Sequence, residues 1–332
     1  MLTPTEVVIE ITGHCNLDCG YCTQAKNSGG HIAVGTVQQL LTQMVRSHVP
    51  AVRFTGGEPL LHPKLSELLS CAKSHNLYTL LNTNATILDG KRLEIMARHV
   101  DNMLVSLQGF NDSSDRAMTF SPVPFSQKMR NVQKLRSAIP TLRIGTVITP
   151  ALLKNWDKYV AIIKTIRPHS WEIFRPMSTP LRGRHSVSRA NYHTIAGRLL
   201  ALNQHGINAK IANALPFCMF PDTSIAASTM LGALSDDGHS RLVWDLRGFF
   251  KPSYFIDKDL GPKLSDAWKH PFLDKVRNGA GLPAECLTCL CWSRCRGGSR
   301  AQAYKHYRSY HARDPLFDRS SARRQARVFT AP

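Results

Sequence analysis

Six short runs rich in β-branched and aromatic residues recur along the first 176 residues: VVIEIT (7–12), AVRFTG (51–56), YTLLNTN (78–84), NMLVSLQG (102–109), LRIGTVIT (142–149) and WEIFRP (171–176). An amphipathic stretch follows each one. In TVQQLLTQMVRSH (36–48), Val37, Leu40, Leu41, Met44 and Val45 recur at helical spacing and share a face. Similar patterns cover 63–75, 90–99, 126–138, 155–166 and 188–205. A helix after every strand carries the chain back to the starting edge, so the sheet is expected to be parallel. Six such units predict an α/β fold, a partial (β/α)6 barrel of the TIM type, with chemistry at the C-terminal ends of the strands. Near residue 206 the pattern changes. RLVWDLRGFFKPSYFID (241–257) reads as a hairpin turning near Arg247-Gly248, and a short helical stretch at 264–278 leads into a cysteine-rich loop. The expected organisation is a barrel over 1–205, a small α+β domain over 206–311 and a flexible basic tail over 312–332.

The 332-residue chain carries nine cysteines. It has no apolar run of about 18 residues to span a membrane, and its N-terminus lacks a basic start and a cleavage-type segment. A cytoplasmic location is the default expectation, and there nine cysteines point to metal or redox chemistry rather than a disulfide frame. The net charge is +19, and residues 294–327 contribute ten basic residues against two acids. The plain reading is a solvated basic tail. Nucleic-acid binding is not expected, because zinc-finger spacing, an RRM signature and a basic zipper are all missing. Cys15-x3-Cys19-x2-Cys22 lies just beyond the first strand. Three thiolates on one loop can hold three irons of a [4Fe–4S] cluster and leave the fourth open. A closed zinc site is the alternative and would need His14 or His31 as a fourth ligand.

This spacing, with Tyr21 before the third cysteine, resembles the signature of the radical S-adenosylmethionine (radical SAM) enzymes. Gly56-Gly57-Glu58-Pro59 after the second strand strengthens the likeness. Asn82-Thr83-Asn84 at the third, Ser106 and Gln108 in the fourth, Thr146 in the fifth and Phe174-Arg175-Pro176 at the sixth keep the family's order. The resemblance implies that Cys15, Cys19 and Cys22 bind the cluster and that its open iron chelates S-adenosylmethionine. An external one-electron reductant such as flavodoxin or ferredoxin would drive cleavage to a 5′-deoxyadenosyl radical, which takes a hydrogen atom from the substrate. It also implies cofactor contacts from Tyr21, Gly56, Gly57, Glu58, Pro59, Asn84, Ser106, Gln108, Thr146 and Arg175. Gly56 and Gly57 would let the backbone approach the methionine amino group, with Glu58 complementing its charge. Ser106 and Gln108 would reach the ribose or the carboxylate. Strand packing is the competing role for Ser106 and Thr146, and a turn is the competing role for Asn84.

Cys286-x2-Cys289-x-Cys291-x3-Cys295-Arg296-Gly297-Gly298 forms a second dense group. It resembles the C-terminal extension called SPASM, or its shorter form, twitch, which carries auxiliary [4Fe–4S] clusters. Two positions depart from that pattern: Ser299 and Ser253 stand where the extension has cysteine. The resemblance therefore implies one auxiliary cluster, held by Cys218, Cys286, Cys289 and Cys295, with Cys291 the rival fourth ligand or a hydrogen-atom donor to a substrate radical. Cys71, in LLSCAKS, is expected to be a small buried apolar residue.

Arg175, Arg182, Arg184, His185 and Arg189 follow the sixth strand and suggest an anionic substrate. The resemblance implies oxidation, crosslinking or epimerisation of a ribosomal peptide, or dehydrogenation or epimerisation of a small polar metabolite such as a sugar or aminocyclitol. A non-catalytic iron–sulfur protein that binds nucleic acid is the remaining reading. The winged-helix leader-binding domain of many peptide-modifying relatives is not expected here, since strand one begins near Val7 and only about 30 residues follow Gly298. A small substrate or a separate leader-binding partner is then expected.

Overall fold

The computed structural model describes residues 3–23, 30–177, 187–234 and 236–322. Nine strands form one sheet: β1 (Glu6–Thr12), β2 (Ala51–Gly56), β3 (Tyr78–Thr83), β4 (Asn102–Ser106), β5 (Thr141–Val147), β6 (Ser170–Phe174), β7 (Ala209–Ile211), β8 (Arg241–Trp244) and β9 (Phe250–Lys251). Their order is β7-β6-β5-β4-β3-β2-β1-β8-β9, parallel throughout except for the β8–β9 hairpin. The helices of the six expected units are α1 (Val34–Arg46), α2 (Leu65–Ser74), α3 (Gly90–His99), α4 (Asp112–Thr119), α5 (Phe125–Ala138), α6 (Pro150–Lys154), α7 (Trp156–Ile166) and α8 (Arg189–Gln204). The partial barrel read from the sequence is therefore present. α4 was not anticipated: DSSDRAMT has no apolar stripe, and an Asn111–Ser114 capping box starts the helix instead.

The sheet continues past residue 206. β7 extends it beside β6, and β8 pairs with β1 from Glu6↔Arg241 to Ile9↔Trp244. The hairpin thus closes on the barrel, and Gly248, at φ +91°, makes its turn. Short helices follow: α9 (Thr223–Thr229), α10 (Leu264–Trp268), α11 (Pro271–Arg277), α12 (Ala284–Leu287), α13 (Trp292–Cys295) and α14 (Arg300–Tyr307). Within residues 312–322, Asp314 is fully buried and paired with Arg175. No helix among the described residues is long and apolar enough to cross a membrane.

Strand alternation decides what faces the lumen. Val7, Ile9 and Ile11, Val52 and Phe54, Met103 and Val105, Leu142 and Ile144, and Trp171 and Ile173 pack in the core under the helices. Residues of the other parity face the lumen, and the polar ones among them form a ladder. Arg53 binds both Glu6 oxygens at 2.8 and 2.9 Å, and reaches Asn82 at 3.1 Å. Arg143 bridges Asn102 and Glu172, each at 2.7 Å, and Lys251 meets Glu10 at 2.9 Å. Burial opposes the charge on Glu6, yet Arg53, with Arg241 and Arg143 behind it, holds its carboxyl down to about 2.

Candidate functional site

The first cysteine loop begins where β1 ends and is anchored on three sides. Gly57 N–H donates to Thr12 O at 2.6 Å and Glu58 N–H to His14 O at 2.8 Å. The Asn16 side chain exchanges hydrogen bonds with Asn84 at 2.9 Å and Thr86 at 2.7 Å, beyond the end of β3. Asp18 N–H and Gly20 N–H donate to Thr119 O and Met118 O at the end of α4. The loop therefore brings Cys15, Cys19 and Cys22 within electrostatic reach of one another. Burial pushes the Cys15 thiol up, and burial pushes Cys19 up to about 11, where thiolate repulsion offsets the Tyr21 hydroxyl bonded to it. Burial favours the neutral thiols of Cys15 and Cys19, and bound cations would favour their thiolates. Among the described residues no three candidate ligands close on a single ion. Three thiolates offered by one short loop, each able to take its own iron, are the donor chemistry of iron–sulfur ligation.

The two glycines beside this loop are required by backbone contact. A Cβ on Gly56, at φ +142°, would sit 2.3 Å from Thr12 O, and one on Gly57 would sit 2.1 Å from His14 O. Gly56 also lines the barrel-mouth cavity. Glu58 is turned away from that cavity. It is buried and accepts from Thr83 Oγ1 at 2.7 Å, Asn84 N–H at 2.7 Å and Leu60 N–H at 3.1 Å, capping the turn that Pro59 opens. These contacts make Glu58 a bracket between β2 and β3.

A cavity of about 250 Å³ opens at the C-terminal strand ends. Thr55, Asn82, Leu104, Ser106, Gly145, Val147 and Phe174 line it, all on the lumen-facing parity. Tyr21 and Cys22 form the side nearest the first cysteine loop, and Met177, Tyr254 and Phe255 lie in the same wall. Ser106 and Gln108 are both present as expected, but Gln108 is engaged: its amide bridges Gly145 O at 3.3 Å and Val147 N–H at 2.9 Å. Thr146 is not in the cavity. It shares parity with Ile144, donates to Leu107 O at 2.8 Å and accepts from Trp171 Nε1 at 2.9 Å. Asn84 is the turn residue, holding Thr86 N–H at 2.9 Å. Arg175 lines the cavity, but its guanidinium is bound to Asp314 at 2.7 and 3.2 Å and to Ala214 O at 3.2 Å. It is therefore neutralised and supplies no unpaired charge to an anionic ligand. Arg182, Arg184 and His185 lie outside the described residues. Sequence reading named Asn82 only as part of the third strand's end, and missed Thr55, which strand parity identifies, and Asn16, which carried no signal.

Cys218, Cys286, Cys289, Cys291 and Cys295 converge on a second, smaller cavity with Phe217, Trp292 and Phe317. Phe217 N–H donates to Cys295 Sγ at 3.4 Å, and Asp318 N–H donates to Cys218 Sγ at 3.4 Å. The Cys291 thiol bonds the Cys289 sulfur, which pulls Cys289 down and pushes Cys291 up. Cys291 is absent from the residues that line the barrel-mouth cavity, so the structure does not place it as a hydrogen-atom donor to a substrate there. Cys71 is only partly buried and packs against the edge of the core rather than within it.

Comparison with known proteins places the chain. The model of the radical SAM superfamily matches residues 9–166. A PqqA peptide cyclase from Streptomyces rochei is 33% identical over 326 residues, covering 94% of this chain and 88% of that protein. An AdoMet-dependent heme synthase from Nitratidesulfovibrio vulgaris is 23% identical over 333 residues, covering 92% and 90%. The fold matches Streptococcus suis SuiB bound to precursor peptide SuiA with a TM-score of 0.76 at 17% identity, over 95% of this chain and 76% of that one.

Proposed function

This chain belongs to the radical SAM superfamily, and from that premise we propose that it modifies a ribosomal peptide. Membership brings a [4Fe–4S] cluster and S-adenosylmethionine as cofactors, which together supply a 5′-deoxyadenosyl radical able to abstract a substrate hydrogen atom. Cys15, Cys19 and Cys22 would hold the cluster. Ser106, whose hydroxyl is not used in the sheet, and the Gly56 backbone would face the S-adenosylmethionine. Phe174, Met177, Tyr254 and Phe255 would then wall the remaining space and keep water from the reacting C–H. The observation that carries the peptide reading is the 33% identity to a PqqA peptide cyclase along nearly the whole chain.

We further infer one auxiliary [4Fe–4S] cluster on Cys218, Cys286, Cys289 and Cys295, in a SPASM- or twitch-like domain. A cavity wall without Cys291 favours a net oxidation or crosslink over epimerisation quenched by that thiol. An external one-electron protein reductant and a separate leader-binding protein are the proposed partners. The heme synthase relative supports a second reading, a small-molecule substrate. Incubation of the reduced, reconstituted protein with S-adenosylmethionine and synthetic candidate precursor peptides separates the two. The peptide reading expects one peptide to lose the mass of two hydrogen atoms. Modification confined to a parallel metabolite pool would replace it with the second.

A further inference from the structure

The five-cysteine cavity is lined on one side by a segment from residues 313–322. Phe317 and Ala322 form part of its wall, and Asp318 supplies the N–H that meets Cys218 Sγ at 3.4 Å. The segment is pinned on either side of that contact. Upstream, the fully buried Asp314 takes Arg175 at 2.7 and 3.2 Å and the Ser299 N–H at 2.9 Å. At the contact itself, Arg189 donates to the Asp318 carboxylate at 2.7 Å and to Leu316 O at 3.0 Å. Downstream, Arg319 faces Glu285, another residue of the cavity wall, at 3.8 Å. The cysteine loop is shaped to receive this segment, since a Cβ on Gly298 would sit 2.8 Å from Asp314 Cβ.

We propose that residues 313–322 are a strap that positions Cys218 and encloses the auxiliary cluster. This rests on the auxiliary-cluster reading given above. Two consequences follow from the contacts. An N–H aimed at a ligating sulfur stabilises the more negative, reduced cluster and so raises its midpoint potential. An apolar cover of Phe317 and Ala322 keeps water and oxygen from the irons, as the shell around a metal site generally does.

The test uses the full chain with Cys15, Cys19 and Cys22 all changed to Ala, so that bound iron reports the auxiliary site alone. In this background, Asp318→Pro removes the N–H, Asp318→Ala keeps it but breaks the Arg189 bridge, and Phe317→Ala opens the cover. Iron content, midpoint potential by redox titration and bleaching of cluster absorbance in air are the readouts. The strap predicts a lower potential for Asp318→Pro than for Asp318→Ala, and faster bleaching for Phe317→Ala than for the parent background. If Asp318→Pro binds no iron, the bleaching rate of Phe317→Ala decides alone. Parent-like potential and bleaching, with iron retained in all variants, would overturn the strap. Iron missing from the parent background would instead overturn the auxiliary-cluster reading beneath it.

Discussion

Replacing Gly57 with Ala tests whether the glycine pair serves the cysteine loop. The added Cβ would lie 2.1 Å from His14 O, 2.5 Å from His14 C and 3.0 Å from Gly13 O. Ordinary carbon contacts need roughly 3.5 Å, so the loop has to retreat by more than an ångström. Retreat strains the packing and stretches the Gly57–Thr12 and Glu58–His14 bonds of 2.6 and 2.8 Å. Two hydrogen bonds at about 1 kcal/mol each and overpacking at about 1–3 kcal/mol give a loss of about 3–5 kcal/mol. The protein should still fold, with its melting temperature lowered by roughly 4–7 °C. Cys15 follows His14 directly, and a shift of about 1 Å at a reacting centre costs on the order of 100-fold in rate. Iron per chain, thermal melting and 5′-deoxyadenosine formation measure the three effects. Gly197→Ala is the control, because nothing lies within 4 Å of its Cβ position inside α8; it should gain about 0.5–1 kcal/mol. A Gly57→Ala protein with parental iron content and rate would refute the reasoning.

Strand parity separates Thr146 from Ser106. Thr146→Val should cost about 1–3 kcal/mol by stranding Trp171 Nε1, with S-adenosylmethionine KM unchanged, whereas Ser106→Ala should raise that KM at parental stability. Glu6→Gln should cost about 3 kcal/mol at pH 7, the worth of a carboxyl moved from 4.5 to about 2. That stabilisation is complete above about pH 4.5 and is lost as pH falls toward 2. Denaturant melts across this window should show a flatter acid limb in the variant. With Cys15, Cys19 and Cys22 changed to Ala, Cys218→Ser should lose auxiliary iron and Cys291→Ser should keep it, as read by iron analysis and EPR.

The barrel was legible because its signals are local. β-branched runs alternating with amphipathic helices give element type and direction, and six strands and their helices stand where the pattern put them. Cysteine spacing was equally local for Cys15, Cys19 and Cys22. What the sequence left open depended on where side chains point or on distant partners. Thr146 and Ser106 look alike in sequence, and only their parity separates core from cavity. Glu58 reads as a charge for a ligand until Thr83 and Asn84, 25 and 26 residues away, close on it. Arg175 reads as an anion clamp until Asp314 arrives from 139 residues downstream. The same pairing explains why residues 312–322 resembled a tail: their charge was visible, but their partners were not.

The most direct test of the account is 5′-deoxyadenosine formation by the anaerobically reconstituted, reduced protein, measured beside its Cys19→Ala variant. The account predicts 5′-deoxyadenosine and methionine from the parent and neither from the variant. An intact cluster that forms no 5′-deoxyadenosine under any substrate pool, or formation that persists without Cys19, would contradict it.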